Sequence, residues 1–145
     1  MTETATATRP DASDMRGVIP YIAFDGRADE AADFYLEAFG ATDFGRMPNP
    51  DSPSRLFHAQ LGINGGSLMM TDHGCENGVE PQPLNRAHMQ LIVEDGRLWW
   101  DRALAAGCTV VMPYERQFWG DDWGLLEDPF GIQWAILQPG PGRGE

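Results

Sequence analysis

Cysteine is scarce in this chain: Cys75 and Cys108 are the two in 145 residues. They stand far apart and form no C-x-x-C pair, so a disulfide scaffold is not expected and a reducing cytoplasm suits the chain. Cationic side chains are few as well. Ten Lys plus Arg stand against twenty-two Asp plus Glu, a formal net charge of −12. A polyanion is repelled by such a surface, which argues against nucleic acid as a partner. No run approaches the ~18 apolar residues of a spanning helix, so no membrane partner is expected either. The opening MTETATATRPDASDMRG lacks the apolar segment of a secretory signal. Also missing are a GxSxG elbow, a Walker loop and a glycine-rich strand-to-helix turn for a nucleotide. The glycines of GPGRGE follow the last expected strand and open no helix, so they make no phosphate loop.

What is present suits one globular domain with a real core, since 42% of the residues are hydrophobic. Residues 1–16 have nothing periodic to bury and read as a disordered tail. Val18 to Phe24 reads as a strand, with Pro20 marking an edge or a bulge. Asp25 to Gly40 reads as a helix, because Ala28, Ala31, Ala32, Tyr35, Ala38 and Phe39 form one apolar stripe. Asp25 is placed to cap its start and Gly40 its end. Thr42 to Met47 is a strand, and Arg55 to Asp72 a hairpin turning at Asn64-Gly65. That turn pairs Ile63 with Gly66, Leu61 with Leu68 and Ala59 with Met70. Phe57, Ala59, Leu61, Ile63, Leu68 and Met70 then share an apolar face. His58, Gln60, Gly62, Ser67, Met69 and Thr71 share the other.

His73 to Asn85 is a polar connection. Ala87 to Val93 alternates as a strand, Asp95 to Ala106 reads as a helix closed by Gly107, and Thr109 to Pro113 as a strand. Gln117 to Trp134, QFWGDDWGLLEDPFGIQW, follows as an aromatic loop and a hairpin. Pro129 presets φ and Gly131 accepts a positive φ, so Asp-Pro-Phe-Gly suits a tight reversal. Residues 140–145 are a loose tail. The order strand, DGR, helix, AFGAT at Ala38–Thr42 is answered by strand, DGR, helix, AAGCT at Ala105–Thr109. The chain is therefore expected to be α+β, a single domain over 17–139. Two paired βαβββ modules (about 17–73 and 86–138) would form curved mixed sheets around a cleft.

The paired halves, with PYIAFDG, ADFYLEAFGA, QFWGDDWG and EDPFGIQW, resemble the vicinal-oxygen-chelate superfamily of glyoxalase I, extradiol dioxygenases and bleomycin-resistance proteins. Within it the chain is most similar to the PhnB-like branch, over residues 18 to 138. The resemblance implies four metal-ligand positions, which fall here on Pro20, Met69, His88 and Ala135. Proline and alanine offer no side-chain donor, and a thioether is a poor ligand for hard or borderline ions. The inherited metal site is thus expected to be absent, and no cofactor is expected. A site of two histidines without a carboxylate also falls below the usual ligand count.

The candidate residues follow from the strand faces. His88 and His58 are the candidate catalytic groups, since imidazole titrates near neutrality; a strand histidine also serves as a hydrogen-bonded structural residue. Gln60, Ser67, Met69, Thr71, Gln90 and Gln133 supply a mostly neutral lining for a polar or aromatic ligand, or equally for a water-filled groove. Tyr114, Phe118, Trp119 and Trp123 are expected near the cleft mouth, to stack on a ligand or to pack a core or dimer. Asp121 and Asp122 diverge as neighbours and read as a solvated turn. Asp72, His73, Cys75 and Glu76 match no ligand spacing and read as a surface loop. Two functions stand: a metal-free small-molecule binder of the bleomycin-resistance type, and a metal-independent enzyme using histidine acid–base chemistry. A methyltransferase activity finds no nucleotide turn to support it. Open sheet edges and the superfamily's habit of pairing suggest a homodimer.

Overall fold

A computed structural model describes the backbone of residues 17–72 and 84–141 and the side chains of all but 84–86. The expected N-terminal tail, the 73–83 part of the connection and the last four residues lie outside the described residues. The chain divides into two compact units between Pro81 and Gln82. The first holds β1 (Tyr21–Ala23), α1 (Ala28–Phe39), β2 (Thr42–Asn49), β3 (Ser52–Ile63) and β4 (Gly66–Thr71). The second holds β5 (Leu84–Ile92), α2 (Gly96–Ala106), β6 (Thr109–Arg116), β7 (Asp122–Glu127) and β8 (Ile132–Gln138). Each is a four-stranded open sheet, ordered β1-β4-β3-β2 and β5-β8-β7-β6. The β1–β4 and β5–β8 pairs are parallel and the other pairs antiparallel. This is the α+β fold of two βαβββ modules that the repeat requires.

In the first unit the expected helical stripe is buried in full, from Ala28 to Phe39. The NG turn is also as expected: Asn64 and Gly65 have φ of 51° and 82°, and Ile63–Gly66, Leu61–Leu68 and Ala59–Met70 pair. Three expectations fail. Asp25 does not cap α1; it sits at φ 49° and its carboxylate pairs with Arg55 at 3.1 Å. The cap comes from the end of β4, where Asp72 is 1% exposed. Its Oδ1 accepts from the amides of Gly26 (2.6 Å) and Ala28 (3.0 Å), and its Oδ2 from Leu56 (2.7 Å). Asp72 is therefore no surface-loop residue, while His73, Cys75 and Glu76 lie outside the described residues.

Phe57 leaves the apolar face to which strict alternation assigns it. Met47 pairs with His58 and Pro48 with Leu56, so Phe57 is the extra residue of a β-bulge. The bulge turns Leu56 into the core and leaves Phe57 49% exposed.

In the second unit α2 starts at Gly96, with Asp95 accepting from the Leu98 amide at 3.2 Å. Trp100 is the large side chain that α2 buries. Gly124 makes room for it, since a Cβ there would stand 2.7 Å from the Trp100 ring. The Asp-Pro-Phe-Gly turn forms with Gly131 at φ 84°. The buried Asp128 organises it: Oδ1 accepts from Phe130 (2.9 Å) and Ile132 (3.0 Å), and Oδ2 from the Trp134 indole (2.9 Å).

Candidate functional site

Each sheet packs its helix on one face, and the chemistry-bearing side chains stand on the other. In the first unit Gln60 pairs with Met69 and Gly62 with Ser67, so strand alternation puts His58 and Thr71 on that same face. The expected grouping of His58, Gln60, Ser67, Met69 and Thr71 is therefore present. Gln60 is buried, and its Nε2 donates to Ser67 Oγ at 3.3 Å. Thr71 donates its hydroxyl to the Phe57 carbonyl at 2.9 Å, securing the bulge.

Sequence reasoning missed Tyr21. The parallel β1–β4 register sets Tyr21 beside Met69, and its hydroxyl lies 2.8 Å from His58 Nδ1. The rings meet edge to face at 5.6 Å. Ile22 pairs with Met70 on the helix side, and Phe24 is buried. The alternation of Ile22 and Phe24 against Tyr21 was the available signal.

In the second unit Gln90 is the hub. Its Oε1 accepts from the Trp123 indole at 3.4 Å and lies 3.5 Å from His88 Nε2. Four rings run outward from it. His88 meets Trp123 at 6.4 Å, Trp123 meets Trp119 at 6.2 Å, and Trp119 meets Phe118 at 5.1 Å, all edge to face. Ala135, between Gln90 and Leu125 in the sheet, keeps the floor of this wall low. Gln133 shares the face and reaches Glu127 at 3.5 Å.

The loop bearing Phe118 and Trp119 is tied down by its own backbone. The Gln117 amide donates to the Asp121 carbonyl (2.8 Å) and the Gly120 amide to the Gln117 carbonyl (3.0 Å). Asp121 and Asp122 do diverge, but they form no solvated turn. Asp121 is 1% exposed and accepts from the Gly140 amide at 2.9 Å, while Asp122 pairs with Arg116 at 2.6 Å.

Tyr114 is not part of this wall. Glu115 is the cross-strand partner of Trp123, so the preceding side chain turns the other way, onto α2. There the Tyr114 ring packs 5.4 Å from Trp100, with the Arg97 guanidinium 4.8 Å above it. Its buried hydroxyl has no hydrogen-bond partner. Burial, with the Asp122 carboxylate second, holds that phenol above its usual range. Four clustered aromatics in sequence do not say which face each one takes.

Of the four positions matching metal ligands, Pro20 accepts at its carbonyl from the Met69 amide (2.9 Å), Ala135 is fully buried and His88 is exposed. Among the described residues no three His, Cys, Asp or Glu side chains gather as a metal set. Cys108 is a free, buried thiol, pushed from 9.0 to about 12 by burial and then by Asp128. Among the described residues no helix is long and apolar enough to cross a membrane.

Known proteins share this plan. Residues 18–136 match the Glyoxalase/Bleomycin resistance protein/Dioxygenase superfamily. The uncharacterized protein Rv0887c of Mycobacterium tuberculosis is 40% identical over 126 residues, covering 83% of this chain and 72% of the relative. The crystal structure of PA1353 from Pseudomonas aeruginosa superposes with a TM-score of 0.70 at 24% identity, over 84% of this chain and 96% of that one. A PhnB protein from Bacillus cereus gives 0.68 at 18% identity, over 85% and 99%. With its two βαβββ modules and PhnB-like structural neighbours, the chain belongs to the Glyoxalase/Bleomycin resistance protein/Dioxygenase superfamily.

Proposed function

We propose that this protein binds a flat, partly polar small molecule and does so without a metal ion. The observation that carries the reading is the wall of Phe118, Trp119, Trp123 and His88 joined to the Gln90 amide. Phe118 is 96% exposed on a loop whose backbone is hydrogen-bonded, so its ring is presented rather than merely loose. Exposed rings in a contiguous patch mark a contact surface, and a flat ligand gains by stacking or meeting them edge-on. Donor chemistry supports the metal-free half of the reading. Of the four matching positions His88 alone carries a suitable side chain, and one imidazole does not hold an ion tightly.

The test is a tryptophan-fluorescence titration with a panel of planar heteroaromatic compounds. Binding should quench the emission, and His88→Ala should weaken it by more than about 1 kcal/mol, the value of a partly buried hydrogen bond. No quenching by any compound would remove the reading. Elemental analysis finding one Zn²⁺, Ni²⁺ or Fe²⁺ per chain, lost in His88→Ala, would overturn the metal-free half.

A second reading rests on the Tyr21–His58 pair, and makes the protein a metal-independent enzyme with histidine acid–base chemistry. A phenol donating to Nδ1 places the neutral imidazole's proton on Nε2, ready for a substrate; the reverse direction leaves Nε2 as a base. We further propose a cytoplasmic homodimer, a reading supported by the free Cys108 thiol and the exposed apolar residues Val110, Val111 and Met112 on edge strand β6. The net charge of −12 supports the absence of nucleic-acid partners.

A further inference from the structure

A carboxylate stands beside the aromatic wall. Glu115 pairs directly across from Trp123, and such partners have Cβ atoms about 4.5–5.5 Å apart on one face. That face is the one on which the Trp123 indole reaches Gln90. The next charges along the strands leave by the opposite face. Arg116 and Asp122 form the following cross-strand pair and hold each other at 2.6 Å. The helix-side phenol of Tyr114 senses Asp122, Arg97, Asp95 and Arg116. Among the described residues of this unit, the guanidinium stacked on a ring is Arg97 over Tyr114, again on the α2 side. The wall thus combines electron-rich indole faces with an anion, and the described cations nearby are occupied elsewhere.

Resting on the binding reading above, we propose that the ligand of this wall is a planar organic cation, held over Trp119 and Trp123 with Glu115 as its counter-charge. Indole is the best of the aromatic side chains for this contact, and a flanking carboxylate adds to its field. The protein's overall negative charge draws cations in from a distance, though salt screens that contribution beyond about 10 Å. The local pair sets the preference that survives in salt.

The experiment compares N-methylacridinium with acridine, which share a ring system but differ in charge at mildly alkaline pH. Each is titrated by equilibrium dialysis against the full chain at physiological salt. N-methylacridinium should bind at least about tenfold more tightly, and Glu115→Gln should bring the ratio of the two affinities close to one. Trp119→Leu should weaken the cation further than Glu115→Gln does. Equal affinities in the unmodified protein would overturn the cationic class while leaving the planar-ligand reading intact. Binding of neither dye would count against both. A preference unchanged in Glu115→Gln would assign it to the general field of the protein and overturn the site.

Discussion

The two units share one lock and differ in how it is built. In each, the amide of the glycine in Asp-Gly-Arg, at or just before the helix start, donates to the side chain at the end of the unit's last strand: Gly26 to Asp72 at 2.6 Å, Gly96 to Gln138 at 2.8 Å. Asp72 is charged, buried and holds three amides, whereas Gln138 gives Gly96 a single neutral acceptor, with Asp95 capping α2 beside it. The outer strands differ in the same sense. On β2, Arg46 is ion-paired with Asp29, Asp33 and Asp43. On β6, Val110, Val111 and Met112 stand exposed. The first unit's edge carries an ion-paired cluster beside an exposed Met47, and the second unit's edge carries three exposed apolar residues in a row.

Variants can break or sharpen that contrast. The largest effect is expected from Asp128→Ala, which removes the acceptor for two turn amides and the Trp134 indole. A loss of about 3–5 kcal/mol in denaturant-measured stability is expected, since the donors are left unsatisfied. Asp72→Ala should cost about 3 kcal/mol, and Gln138→Ala about 1 kcal/mol, because a charged multiple acceptor exceeds a neutral single one. Equal losses at these two positions would erase the asymmetry between the locks.

Smaller effects test the surfaces. Met112→Glu should weaken self-association measured by sedimentation without lowering the melting temperature by more than a few degrees, and a protein that is monomeric at roughly tens of micromolar would remove the dimer. The smallest is alkaline. The Cys108 thiol ionises more readily unfolded than folded, so stability holds below its ordinary value of 9.0 and declines as pH rises toward about 12. Cys108→Ala should flatten part of that decline, and native protein should react slowly with thiol reagents at this position.

The legible parts of the fold were local ones. Apolar spacing in ADEAADFYLEAF fixes the buried side of α1, and Asn64-Gly65 fixes a register that places His58, Gln60 and Met69 together. What escaped depends on partners far along the chain. Nothing near Asp25 says that Asp72 will cap the helix, and Leu56-Phe57, both apolar, give no sign of which one a bulge turns outward. Tyr114, expected near the cleft mouth or in a core, packs on α2, and the run of aromatics hides the alternation that Glu115 and Trp123 reveal. His88 and Gln90 were legible as one face, but their link to the Trp123 indole needed a strand more than thirty residues away.

The Asp72 cap also orders events in time. Gly26 and Ala28 leave the ribosome long before the carboxylate that secures their amides, so α1 is made without its cap and completed when β4 docks. The same carboxylate ties Leu56 of β3 to that step. Helix start, bulge and last strand of the unit are thereby joined at one buried group. Native-state hydrogen exchange at Gly26, Ala28 and Leu56 should accordingly proceed through one shared opening rather than through fraying of the helix end.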